Sequence, residues 1–252
     1  EWPEIVHLID LIKQRRPDLT VIIGGEHATA MAEFCLSTSK ADIVVLGEGE
    51  ETIVELVDAL EAGRSLAEID GLAFHDRDHE RIIVNKRRMR MTEIDSLAPP
   101  AWDLFDLKIY HDHRYEGCMH SASLSVPILA TRGCPYQCTY CSAPNMWTPR
   151  WDPRDPIKVV DEIEGYMRKY GAANFPFQDL TAIIQKEWIV TFCEEVLRRK
   201  LKFIWQFPTG TRAEAVDNEV AELLFKTGMI NMAYAPESGS ETTRKLIKKK
   251  CS

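Results

Sequence analysis

The chain has 252 residues, 45% apolar and 28% charged, with seven cysteines; that is too apolar for a disordered chain and too long for a disulfide miniprotein. No apolar run approaches the roughly 18 residues of a membrane helix, and no basic-plus-apolar secretory leader opens the sequence. The net charge of −8 argues against a protein that coats nucleic acid, and it is unevenly spread: residues 1–100 hold 11 basic and 20 acidic side chains, the remainder 20 and 19, as two modules would.

The sequence begins at Glu1, without an initiating Met and already inside a helical pattern, so a piece of a longer protein is expected. Pro3 suits a first helical position, with Ile5, Leu8, Ile9 and Ile12 on one face and Pro17 as the stop. Val21–Ile23 is a short buried-strand run that ends in Gly24-Gly25. A second, Asp42–Leu46, ends in Gly47-Glu48-Gly49-Glu50. Ile53, Leu56, Val57 and Leu60 mark the next helix, closed by Gly63. Alternating helices and strands of this kind predict a parallel sheet with helical crossovers. Leu72–Phe74 and Ile82–Val84 flank Asp76-Arg77-Asp78 as a hairpin, and the basic cluster Lys86, Arg87, Arg88 and Arg90 reads as a solvated face. Residues 92–105, with Pro99-Pro100, read as a linker; His111, His113, Cys118 and His120 follow without a clear period.

From Val126 the alternation resumes. Val126–Ala130, Ala173–Phe177, Phe203–Phe207 and Ile230–Tyr234 are strand-like. Asp155 with Pro156 caps one intervening helix, Asp217 another, and Ser240 the last, whose run of Arg244, Lys245, Lys248, Lys249 and Lys250 reads as exposed. Four strand–helix units predict part of a barrel or an open parallel sheet, with ligands at the carboxyl ends of the strands. Cys35 and Cys193 fall on apolar helix faces, as buried thiols do.

Just after the first of these strands stands Gly133-Cys134-Pro135-Tyr136-Gln137-Cys138-Thr139-Tyr140-Cys141. Thiolates are soft ligands for zinc, copper(I) or iron–sulfur clusters. Structural zinc wants four ligands, usually as two pairs, and no fourth cysteine stands nearby at that spacing. Three thiolates on a four-iron cluster leave one iron open, which points to chemistry rather than electron transfer alone. A zinc site or a redox pair stays the alternative.

This loop resembles the cluster loop of the radical S-adenosylmethionine enzymes. The resemblance implies a [4Fe–4S] cluster held by Cys134, Cys138 and Cys141. Its open iron chelates the amino and carboxylate groups of S-adenosylmethionine, and one electron releases a 5′-deoxyadenosyl radical. Tyr140 matches the family's aromatic residue before the last cysteine. Ala235-Pro236-Glu237-Ser238-Gly239-Ser240 resembles the ribose-contacting motif, with Glu237, Ser238 and Ser240 as hydrogen-bonding groups; simple helix capping is the alternative for the two serines. Arg212 could pair the cofactor carboxylate, or Glu214 or Asp217. Asp179 could accept from the cofactor ammonium, although Gln178 stands where related enzymes carry a first acid.

The two glycine motifs of the first module end adjacent strands, where a parallel sheet binds its ligand. Glu48 and Glu50 would repel phosphates, and the third glycine of a dinucleotide motif is missing, so a neutral, amide-fringed ligand fits better. Together with the hairpin and Pro99-Pro100-Ala101-Trp102-Asp103-Leu104, these motifs resemble the cobalamin-binding half of cobalamin-dependent radical S-adenosylmethionine enzymes. That group includes methyltransferases and the anaerobic magnesium-protoporphyrin monomethyl ester cyclases. The resemblance implies cobalamin contacts at Gly24, Gly25, His27, Thr29, Gly47 and Glu48. For His27 three readings stay open: a lower-face cobalt ligand, a rim contact, or a strand-end histidine bonded to backbone.

The fold expected is α/β. Residues 1–70 form the carboxyl-terminal half of a Rossmann-like cobalamin-binding domain, 71–125 a hairpin and linker, and 126–252 the first four βα units of a partial (βα)6 barrel. The function implied is radical chemistry at an unactivated carbon, as cobalamin-dependent methyl transfer or cyclisation. A cobalamin-free radical enzyme, or an iron–sulfur or zinc binding module, is the alternative. The expected partners are a small-molecule substrate and a low-potential electron donor, with nucleic acid disfavoured. Exposed thiolates imply a reducing, oxygen-poor cytoplasm.

Overall fold

The computed structural model describes residues 1–249 apart from 77, 78, 116 and 120. Arg77, Asp78, His120, Lys250 and Cys251 therefore lie outside the described residues. The chain divides into two compact units: Glu1–Met91 with Ser142–Thr148, and Thr92–Cys141 with Pro149–Ser252.

The first unit runs α1 (Trp2–Arg15), β1 (Ile22–Ile23), α2 (Glu26–Ala30), α3 (Ala32–Thr38), β2 (Ile43–Val45) and α4 (Glu50–Glu61). β1 and β2 pair in parallel, with Ile22 opposite Ile43. Because side chains alternate along a strand, Val44 packs with Ile9, Cys35 and Leu36 on one face, and Ile43 and Val45 with Leu56 and Leu72 on the other. Burial on both faces is why the strand reads as an unbroken apolar run. The hairpin forms as expected, from β3 (Leu72–Asp76) and β4 (Arg81–Val84), and it extends this sheet in the order β1-β2-β3-β4. β3 runs antiparallel to β2, so the sheet is mixed and only its first pair is parallel. The entry to β3 depends on Gly71 at φ +83°, where a Cβ would meet Thr52 Oγ1 at 3.1 Å while the Gly71 carbonyl accepts from Leu46 N–H.

The second unit contains α5 (Leu107–Asp112), β5 (Thr131–Arg132), β6 (Asp152–Pro153), α7 (Pro156–Tyr170), β7 (Asn174–Pro176), α8 (Lys186–Arg198), β8 (Ile204–Thr211), α9 (Asn218–Lys226), β9 (Met229–Tyr234) and α10 (Glu241–Leu246). Helix α6 (Ala143–Trp147) intervenes in sequence but belongs to the first unit. β7, β8 and β9 form a parallel sheet in that order. The capping residues act as read: Asp155 accepts from Ile157 N–H at 2.8 Å, Asp217 from Val220 N–H at 3.0 Å and Ser240 from Thr243 N–H at 3.3 Å. Phe175, Phe177, Phe192, Trp205 and Phe207 fill the core between sheet and helices, with the Phe177 ring 5.3 Å from Trp205 and 5.5 Å from Phe207.

The expected strand at Val126–Ala130 is only partly realised. It lies beside β7 as two isolated parallel bridges, Ser125 to Asn174 and Ile128 to Phe177. Val126 N–H donates to Asn174 O and Ile128 N–H to Pro176 O. The bond that would join the bridges needs a donor at position 176, and proline has none. Below this edge the buried Gln206 and Asn174 satisfy each other. Gln206 Nε2 donates to Asn174 Oδ1 at 3.0 Å, and Asn174 Nδ2 to Ser125 Oγ at 2.7 Å.

Candidate functional site

β5 delivers the chain into the cysteine loop, and no described cysteine forms a disulfide. Cys134 and Cys138 are half-buried and Cys141 is exposed. Burial pushes the Cys134 thiol up, and Cys141 and Cys138 nearby push it the same way, so metal binding here would release a proton. The loop closes on itself through Cys141 N–H to Cys138 O at 3.1 Å, and is tied to the end of α10 through Thr139 N–H to Ile247 O at 3.0 Å. The Cys138 thiol donates to Lys248 O at 3.8 Å. Among the described residues no three His, Cys, Asp or Glu side chains converge on one metal ion. Three thiolates on separate irons of a cluster need no such convergence, and three soft donors on one loop fit that group.

Arg212 follows β8. Its guanidinium lies 4.0 Å from the Tyr136 ring centroid, within the loop, and Nη2 pairs with Glu214 at 3.1 Å. Of the sequence alternatives for Arg212, the pairing with Glu214 is therefore present. Its Nε is buried without a hydrogen-bond partner among the described residues, so a donor is left for an anionic ligand. Glu237 sits at φ +65°, its carboxyl held low by the Tyr140 hydroxyl and by Lys249, whose Nζ is 3.2 Å away. Lys249 is thus a partner of Glu237 rather than part of a solvated run; its side chain is only 13% exposed. Ser240 caps α10 and Ser238 Oγ accepts from Ser240 N–H at 3.1 Å, so both hydroxyls have structural work. Two hollows open here, about 610 Å³ against Tyr136 and α10 and about 230 Å³ between Arg212 and Tyr234–Pro236, and Arg244 and Lys249 line both.

Asp179 is fully buried. Its Oδ1 accepts from Thr131 Oγ1 at 2.6 Å, and its Oδ2 from Ala130 N–H at 3.3 Å. The carboxylate is committed to the strand end that launches the cysteine loop.

In the first unit, Gly24, Gly25, Gly47 and Glu48 line a concavity of about 570 Å³ at the carboxyl ends of β1 and β2. A Cβ at Gly24 would meet Val45 O at 3.4 Å. Gly47 takes φ +73° and donates its N–H to Thr29 Oγ1 at 3.0 Å, which makes Thr29 the support of that turn. Bare backbone at four glycines, with apolar Ile22 and Ile53 beside it, suits the approach of a large flat ligand. His27 is exposed and is not among the residues lining this concavity; it lies 5.0 Å from Trp2 and 6.5 Å from Phe34, ring to ring.

Within the basic cluster Lys86 is exposed, but Arg87, Arg88 and Arg90 have partners rather than forming a solvated face. Arg90 and Glu48 are buried together, with side chains 6% and 5% exposed and Nε and Oε1 3.6 Å apart, and Met91 N–H donates to Glu48 Oε2 at 2.7 Å. Glu48 therefore does not present a bare charge. Arg88 pairs with Glu55 and lies near Glu51. The available signal was residues 48–58, which hold five acids and no cation, set against the basic run that starts at residue 86. Sequence reasoning also missed Glu26, Met146 and Trp147. Met146 and Trp147 line the same concavity, and no local pattern joins them to residues some 120 positions earlier.

Residues 2–57 match the B12 binding domain and residues 128–252 the Radical SAM superfamily. The chain is 27% identical over 245 residues to the anaerobic magnesium-protoporphyrin IX monomethyl ester cyclase of Rubrivivax gelatinosus, covering 96% of this chain and 42% of that protein. It is 32% identical over 231 residues to the enzyme of the same description from Cereibacter sphaeroides, covering 89% and 36%. To the cytidylyl-2-hydroxyethylphosphonate methyltransferase of Streptomyces wedmorensis it is 28% identical, covering 96% and 49%. The chain thus spans less than half the length of these relatives. Among solved structures, the cobalamin-dependent S-adenosylmethionine radical enzyme OxsB, with aqua-cobalamin and S-adenosylmethionine bound, superposes with TM-score 0.75 at 18% identity, covering 99% of this chain and 36% of that one. The methyltransferase TsrM from Kitasatospora setae, with tryptophan and a S-adenosylmethionine analogue, superposes with TM-score 0.67 at 20% identity, covering 90% and 43%. These likenesses establish the α/β fold of both units. No helix among the described residues is long and apolar enough to cross a membrane.

Proposed function

The chain belongs to the radical S-adenosylmethionine enzymes that carry a B12 binding domain, and on that footing we propose that it performs cobalamin-dependent methyl transfer or cyclisation at an unactivated carbon of a small molecule. The observation that carries the reading is the loop of three thiols, none in a disulfide, on a chain whose other unit exposes a glycine-lined concavity at its strand ends. When bound, a [4Fe–4S] cluster with S-adenosylmethionine supplies a carbon radical on one-electron reduction, and cobalamin supplies a methyl carrier.

This chain's residues bind and orient. Cys134, Cys138 and Cys141 hold the cluster. Arg212, set over the Tyr136 ring, steadies the loop, and its Nε, without a hydrogen-bond partner among the described residues, would serve the carboxylate of S-adenosylmethionine. Glu237, oriented by Tyr140 and Lys249, is the acceptor for ribose hydroxyls. Ser238 and Ser240 shape that turn, and Asp179 positions the strand end beneath the loop. Gly24, Gly25 and Gly47 would give cobalamin its backbone surface, with Thr29 holding the Gly47 turn and Glu48 lining the hollow beside them; His27, outside that lining, would meet only a part of the ligand that extends beyond the hollow. The reaction needs a low-potential electron donor, and an exposed Cys141 needs a reducing compartment such as an oxygen-poor cytoplasm.

Anaerobic reconstitution of the full-length protein tests this. We expect about four iron and four sulfide per chain, reductant-dependent 5′-deoxyadenosine, and loss of both in Cys134→Ala, Cys138→Ala or Cys141→Ala. Zinc bound without sulfide would overturn the reading.

A further inference from the structure

Helix α6 has five residues, far too few to be stable alone, yet three residues of the first unit, Glu26, Arg87 and Arg90, hold it. Glu26, the first residue of α2, offers both carboxylate oxygens: Oε2 accepts from Ser142 Oγ at 3.0 Å and Oε1 from Trp147 Nε1 at 3.3 Å. Arg87 donates to two successive carbonyls at the end of α6, those of Asn145 and Met146, which a helix terminus leaves without intrahelical partners. The Arg90 guanidinium, itself anchored on Glu48, lies 5.7 Å from the Trp147 ring centroid. The chain then leaves through Thr148 at φ +57°, a strained conformation for a β-branched residue that persists only where its surroundings impose it.

The clamp has two consequences. Its inner side, Met146 and Trp147, is a wall of the glycine-lined concavity. Its first residue, Ser142, is bonded to Cys141. We propose that α6 is a strap through which cobalamin in the concavity fixes the position of the third cluster cysteine, with Trp147 as the contact to cobalamin and Glu26 as the tether. The inference rests on the cobalamin reading above. It extends the cobalamin site to a segment well outside residues 2–57, which match the B12 binding domain. Ordering by one ligand lowers the cost of ordering for the other, so the effect is reciprocal: a bound cluster should tighten cobalamin as cobalamin secures the cluster.

The test uses full-length protein reconstituted with cluster, hydroxocobalamin as ligand, and an iron chelator to read cluster lability. In the natural sequence, saturating cobalamin should slow iron loss several-fold. Trp147→Ala should weaken cobalamin about tenfold, as loss of one large aromatic contact does, at unchanged iron content. Glu26→Ala keeps the wall but cuts both bonds of the tether; it should bind cobalamin near normally and lose the protection. Glu26→Gln, which keeps an acceptor for Trp147, should retain most of it. Equal cobalamin affinity in the natural sequence and Trp147→Ala, or full protection in Glu26→Ala, would overturn the strap alone. Failure of the natural sequence to bind cobalamin would overturn the cobalamin reading and the strap with it.

Discussion

Asp179 accepts hydrogen bonds from Thr131 and Ala130, yet burial outweighs them and pushes its pKa up to about 6. The unfolded value is near 3.9, so between these values the folded state binds more protons. Stability therefore falls as pH rises from about 4 to about 6, and is level above that. We expect Asp179→Asn to abolish this slope, worth up to about 3 kcal/mol, in urea titrations of cluster-free protein at several pH values; an unchanged slope would place the titration elsewhere. The residue also shows what a sequence can reveal. Asp179 follows a strand-like run and is visible as a strand-end acid, but its direction is not. Its partners are Thr131 and Ala130, 48 and 49 positions away. The three cysteines were legible because their chemistry lies in nine consecutive residues. Arg90 and Glu48 were not, because a charge run looks the same in sequence whether it meets water or a buried acid.

At the scale of elements, the caps of α7, α9 and α10, and the apolar faces of the first two, were legible because each cap is decided within one turn of chain: Asp155 with Pro156, Asp217, and Ser240. The strand before the cysteine loop was only half legible. Val126–Ala130 has the apolar character of a strand, but a ladder depends on the donors of its neighbour, and that neighbour carries Pro176. Odd-numbered residues of β7 and its flanks bond to β8, as Phe177 N–H does to Gln206 O, so the missing donor at 176 falls on the side of Val126. Pro176→Val conserves bulk and supplies the N–H. We expect it to join the two bridges, to give a protected amide at position 176, and to add about 0.5–1.5 kcal/mol. Fast exchange of that amide would show that the edge is held apart by something other than proline. The mixed character of the first sheet was not legible either. A hairpin reads identically whether it stands alone or joins a parallel pair, and the register of Val45 with Leu72 is a long-range choice.

On the scale of the whole molecule, the charge step near residue 100 marks a division that the structure draws between Met91 and Thr92, with Ser142–Thr148 returned to the first unit. Composition detects the first boundary because it averages over many residues. It cannot detect the second, since seven residues carry too little composition and their allegiance rests on contacts such as Trp147 to Glu26. Each unit has its own core, with Leu56 buried in the first and Phe192 in the second. Local unfolding should therefore be separable. Leu56→Ala should cost about 2–5 kcal/mol and Phe192→Ala about 3–5 kcal/mol, and hydrogen exchange of the full-length protein should report each loss mainly within its own unit. The decisive amides are those of Asn145, Met146 and Trp147 in α6. Although they follow the cysteine loop directly, they should speed up with Leu56→Ala and stay slow with Phe192→Ala. The reverse pattern would assign α6 to the second unit and remove the physical basis on which its clamp can report to Cys141.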